Sequence, residues 1–108
     1  MMDLVTAHLL YDYYGCLLTK RQQDIFEMRL FDDWSLGEIA EVLAISRQAV
    51  HDTMQRTIGQ FEDYESKLGL LASGQKRRRM CETLVEQLIA QYEVAPDVVQ
   101  SLRELAET

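Results

Sequence analysis

A single proline in 108 residues leaves little of the punctuation that loop-rich folds need and favours long helices. Cysteine is almost as scarce. Cys16 and Cys81 show no CxxC spacing, so neither a zinc site nor a disulfide framework is expected, and both read as small buried hydrophobes within helical patterns. No run approaches the roughly 18 uncharged apolar residues of a membrane span, and the opening MMDLVTAHLLYD lacks the basic segment of a secretory signal. A cytoplasmic protein without membrane insertion is therefore expected. Positive charge is also short: 11 Lys and Arg against 18 Asp and Glu give a formal net charge of -7, a poor total for a nucleic-acid binder. The two histidines stand alone. His8 has only Asp12 at helical spacing, and His51 has only Asp52 beside it and Gln55 one turn on, so no catalytic residue, metal site or cofactor is expected.

What is present is helical periodicity. Leu4, Ala7, Tyr11, Tyr14 and Leu18 recur every three or four positions and mark one face of a first helix, weakened at Gly15. Thr19 with Gln22, and Ser35 with Glu38, have capping-box spacing and open a second helix over residues 20 to 31 and a short third one with an apolar face of Leu36, Ile39, Ala40 and Leu43. Ser46 caps a fourth. Along it, Val50, Met54, Thr57, Phe61, Tyr64 and Leu68 form one seam that runs until Gly69. GLLASG reads as a loop. A fifth helix follows with Met80, Cys81, Leu84, Val85, Leu88, Ile89 and Tyr92, and Pro96 sits where a final short helix would begin. The expected fold is all-α: a helical core over residues 1–68 that contains a helix-turn-helix at 35–56, with a C-terminal helical extension over 69–108 in the same domain.

SLGEIAEVLAISRQAV, residues 35 to 50, carries the functional signal. A helix-turn-helix needs a small residue where its helices cross, apolar residues that lock their angle, and a tight turn. Ala40 is the small residue, Ile39, Leu43, Ile45 and Val50 are the lock, and Ala44 occupies the turn position where glycine is more usual. With Ser46 as the cap, Arg47, Gln48, His51, Asp52 and Gln55 face away from the core, with Arg56 beside them. Arg47 can read guanine bidentately and Gln48 adenine. Asp52 opposes this, since a carboxylate in the groove repels phosphate. Double-stranded DNA is the expected partner. A docking module for RNA or protein is the alternative.

The acidity is unevenly spread. Residues 1–45 carry -5, 46–60 carry +1, 61–68 carry -2, 69–79 carry +4 and 80–108 carry -5. The basic island is Lys76, Arg77, Arg78 and Arg79. Placed at the start of the fifth helix, it would oppose the macrodipole. It could be offset by solvent and by acids such as Glu62 and Asp63, or it could be a phosphate-binding patch for DNA or structured RNA.

YDYYGCLLT, FDDWSLGEIAEVLAISRQAV and the QRT that follows resemble the YlxM-like family of small helix-turn-helix proteins, typically encoded beside components of the bacterial signal recognition particle. The SLGEIAE and SRQAV segments are shared with the broader class resembling sigma factor region four, whereas YDYY and FDDW narrow the match. The resemblance covers about residues 8 to 80; His51 stands where tyrosine is expected, and the chain beyond about Leu88 extends past the family core. The resemblance implies an all-helical fold, a tendency to dimerise and a regulatory role in protein targeting, with signal recognition particle RNA or its GTPase as partners. A homodimer is expected independently from geometry. Phe61, Tyr64 and Leu68 outrun a three-helix core, and Leu84, Val85 and Leu88 belong to a face wider than one neighbour usually hides.

Overall fold

The computed structural model describes residues 3–107, which form six helices with no strand among them. The chain parts into two compact units, Met1–Gly69 and Leu70–Thr108.

In the first unit, α1 (Leu4–Tyr14) starts at Asp3, whose carboxylate accepts from the Thr6 N–H at 2.7 Å. That bond holds the Asp3 carboxyl below its ordinary range. A 3-10 turn, Gly15–Leu17, ends the helix earlier than its periodicity suggests. The turn rotates Cys16 out to solvent, and Cys81 is only half-buried, so neither is the buried hydrophobe expected. Next come α2 (Lys20–Leu30) and α3 (Leu36–Leu43), both with complete capping boxes, from Thr19 and Gln22 and from Ser35 and Glu38. The long α4 (Arg47–Leu68) is capped by Ser46 and stopped by Gly69 at φ 61°, a left-handed position that only glycine adopts without strain.

Two clusters hold this unit together. Tyr14, Phe26 and Phe61 are fully buried where α1, α2 and α4 meet, with Phe26 edge-on to Phe61 at 5.3 Å and Tyr11 stacked on Phe26 at 5.6 Å. Tyr14 donates to Glu65 at 2.6 Å, and its ring lies 5.8 Å from Tyr64. Phe61 thus finds its cover on α1 and α2, and Tyr64 packs beside Tyr14 of α1, contrary to the expectation that they belong to a dimer interface. Burial and a hydrogen bond to Glu27 push the Tyr11 phenol well above its ordinary pKa. The second cluster is Ile25, Ile39, Ala40 and Val50, with Trp34, Ile45 and Met54 packed against it. The YDYY and FDDW stretches are therefore scaffold: Tyr11 and Tyr14 lock α1 to α2 and α4, and Trp34 seals the base of α3.

The second unit corrects the sequence reading in three places. GLLASG is not a loop, because α5 (Leu70–Gln91) begins at once. Leu70, Leu71 and Ala72 are strong helix formers, and one interior glycine, Gly74, costs only about 1 kcal/mol. The island Lys76–Arg79 therefore lies in the second and third turns of a long helix, beyond the reach of the orphan N–H groups, and the expected macrodipole penalty does not arise. Pro96 opens α6 (Pro96–Glu107) as expected. Cys81 Sγ donates to the Leu102 carbonyl at 3.2 Å, Arg103 pairs with Glu82 at 3.3 Å, and Val85 and Ala106 are buried. Val85 is consequently closed to any partner chain, whereas Leu84 (57% exposed) and Leu88 (37%) remain open.

Candidate nucleic-acid interface

The turn between α3 and α4 is made by Ala44 at φ 56°, ψ 43°. Its N–H donates to Glu41 O at 3.3 Å and the Ile45 N–H donates to Ala40 O at 3.0 Å, which is the paired bonding of a Schellman turn. An alanine in this left-handed conformation carries roughly 1 kcal/mol of strain. Packing of the half-buried Ile45 against the cluster of Ile25, Ile39, Ala40 and Val50 offsets it. Ser46 Oγ then accepts from the Ala49 N–H at 3.0 Å, so α4 starts directly after the turn. Before α3, Asp33 also takes a positive φ of 55°, and Arg29 Nη1 clamps this turn by donating to Trp34 O at 3.3 Å.

Arg47, Gln48, His51, Asp52, Gln55 and Arg56 are all exposed along the first turns of α4. Gln48 Nε2 donates to Asp52 Oδ1 at 2.9 Å, and His51 Nδ1 lies 3.6 Å from the same oxygen. Asp52 is thus committed to its own helix and orients Gln48. The glutamine keeps its second amide hydrogen and its Oε1, the pair that adenine N7 and N6 require. Asp52 therefore obstructs base reading less than its charge suggests.

Arg47 does not simply project outward. A Cβ on Gly37 would come within 3.0 Å of the Arg47 guanidinium, so that group lies over the first turn of α3. There it is suited to a phosphate at least as well as to a guanine edge. The pairing of Gly37 with Arg47 is not visible in the sequence, although a glycine at the second position of a capped helix is a hint of close approach. Gly37→Ala is expected to raise stability by roughly 0.5–1 kcal/mol through helix propensity. It should also push the guanidinium aside and alter duplex affinity. Thermal melts and an anisotropy titration read the two effects separately.

On α5, Lys76, Arg77 and Arg79 are exposed and Arg78 is half-buried. The side chains of Lys76, Arg78 and Arg79 form no ion pair among the described residues, while Asp63 is engaged by Lys67 at 3.0 Å. The described residues contain no group of His, Cys, Asp and Glu able to hold a metal ion, and none of their helices is long and apolar enough to cross a membrane.

A family model described as "Putative helix-turn-helix protein, YlxM / p13 like" matches residues 2–107. The resemblance read from residues 8 to 80 is thus too short, and the helices beyond Leu88 fall within the family match. A UPF0122 protein of Thermoanaerobacter sp. (strain X514) is 41% identical over 106 residues, covering 96% of this chain and 91% of the relative. One from Geobacillus kaustophilus is 43% identical over 98 residues, 91% of this chain and 89% of the relative. Another, from Caldanaerobacter subterraneus subsp. tengcongensis, is 48% identical over 84 residues, 78% and 72% of the two chains.

Proposed function

We propose that this chain, which belongs to the YlxM/p13-like family of helix-turn-helix proteins, binds double-stranded DNA through the first turns of α4 and acts as a regulator in the cytoplasm rather than as an enzyme. The observation that carries the reading is the Schellman turn at Ala44, which presents Arg47 and the Gln48–Asp52 pair together on one exposed helical start. In this reading Gln48 contacts a base edge and Arg47 a phosphate or guanine. The surrounding acidity limits how many phosphates are neutralised. With about three per protomer, log K should fall against log salt with a slope near -3, shallower than for strongly basic repressors. Arg47→Ala should lower duplex affinity and Gln48→Ala should flatten sequence preference. Absence of binding to any duplex at low salt in an anisotropy titration refutes the reading.

The island on α5 favours a second reading, in which Lys76, Arg77, Arg78 and Arg79 hold structured RNA. The YlxM resemblance makes signal recognition particle RNA the natural probe and its GTPase the protein partner. Reversing Lys76 and Arg78 to Glu should abolish RNA association and spare any binding to the GTPase.

The functional species in either reading is a homodimer joined through α5, since Met80, Leu84 and Leu88 expose one stripe at helical spacing. Leu84→Glu with Leu88→Glu should yield a monomer by light scattering at micromolar concentration. A monomeric wild type contradicts the dimer.

A further inference from the structure

Beside the recognition face, the first unit holds a cleft of about 200 Å³ that neither reading uses. Leu36, Met54 and Ile58 form its apolar walls, with Leu4 at one side. Its polar groups are Arg29, His51 and Gln55. Arg29 is half-buried and fixed in place, because Nη1 donates to the Trp34 carbonyl at 3.3 Å. Asp33 Oδ1 lies at a loose 3.9 Å from the same nitrogen, on a side chain that is 97% exposed. Asp52, next to His51 on α4, accepts from Gln48. An always-charged planar fork on an apolar floor matches a carboxylate on a compact apolar body: the guanidinium takes two oxygens in parallel, and the walls remove water from the pair. The volume lies below the roughly 300–1,000 Å³ of drug-sized sites, which limits the body to about one ring.

We propose that this cleft binds a small monocarboxylate with a single-ring or similar apolar body, held by Arg29 and closed by His51 and Gln55, and that its occupancy competes with duplex binding. The second clause rests on the DNA reading, because His51 and Gln55 belong to the face proposed to enter the groove. The first clause does not. Ligand and DNA would require the same two side chains, so a bound carboxylate adds negative charge where phosphates must approach.

The test titrates the isotope-labelled full chain with sodium benzoate at fixed ionic strength, beside benzyl alcohol and sodium phosphate, and follows backbone amide shifts. Benzoate alone should give saturable millimolar shifts centred on Arg29, Leu36, His51, Met54, Gln55 and Ile58. Ile58→Trp, which fills the cleft, and Arg29→Gln, which removes the charge, should each weaken binding roughly tenfold or more. Ile58→Trp serves as the folded control, since Arg29 also supports a turn. Equal shifts with benzyl alcohol or with phosphate, or no saturation, overturn the site. With duplex present, saturating benzoate should weaken DNA binding several-fold for the wild type and not for Ile58→Trp; unchanged affinity overturns the competition. A wild type that binds no duplex defeats the DNA reading and leaves the benzoate titration to decide the site alone.

Discussion

Phe61→Ala is expected to cost about 4 kcal/mol of stability, the middle of the range for truncating a buried aromatic. Phe61 is fully buried between the rings of Phe26, edge-on at 5.3 Å, and Tyr14, tilted at 6.5 Å. Alanine leaves a cavity whose lining is rigid. Tyr14 is tied to Glu65, and Phe26 is held on its other side by Tyr11, itself tied to Glu27, so neither ring can swing inward without losing a contact. A unit of this length is stable by roughly 3–10 kcal/mol, so the loss removes from about two-fifths to all of what holds it folded. The same substitution separates the structure from the simpler reading of the seam as a dimer surface. Were Phe61 an interface residue, the variant would dissociate with its monomer fold intact. The expected result is instead a large drop in the urea midpoint with the oligomeric state of the folded fraction unchanged.

The parts of the fold that are legible in the sequence are those with a local cause. Thr19, Ser35 and Ser46 cap helices because a hydroxyl three residues from an N–H has one geometry available, and Gly69 stops α4 because the left-handed position excludes most other residues. The parts that are not legible depend on partners distant in the chain. Nothing local tells that Tyr14 will close over Phe61, 47 residues away in sequence, so a seam longer than its neighbours looked unpaired. GLLASG was opaque for another reason: glycine is counted as a break by its average behaviour, but Gly74 is flanked by Leu70, Leu71, Ala72, Gln75 and Lys76, which favour helix. At the candidate interface, the exposed face of α4 follows from periodicity alone. The Gln48–Asp52 bond and the seat of Arg47 over Gly37 do not, because both depend on rotamer and on the crossing of α3 and α4.

Gln22→Glu distinguishes those two levels most sharply. Judged by local rules the change should be neutral or slightly stabilising, since glutamate is the commoner partner in a capping box and a negative charge suits the first turn of a helix. In the folded protein Gln22 works at both ends. Its Oε1 accepts from the Thr19 N–H at 3.0 Å, while its Nε2 donates to Thr57 Oγ1 at 3.2 Å and to Gln60 Oε1 at 2.7 Å, joining α2 to α4. Gln22 is only 7% exposed and Thr57 is fully buried. A carboxylate there has no donor to offer. Gln60 could turn its amide to face it, but Thr57 would have to release the Thr53 carbonyl, to which it donates at 2.8 Å. The expected cost at neutral pH is about 2 kcal/mol, chiefly from desolvating the charge and breaking this node. Burial should raise the folded-state pKa of the new carboxyl above the roughly 4.3 of an unfolded glutamate. For a raised pKa the stabilising form is the protonated one, fully present below the unfolded value and lost as pH rises through the folded value. The deficit of Gln22→Glu against wild type should therefore shrink as pH falls towards 4, where an O–H donor returns to the node. Urea midpoints of both proteins between pH 4 and 8 provide the measurement. A deficit that stays constant across that range, or a variant as stable as wild type at pH 7, would mean that Gln22 serves only as a helix cap.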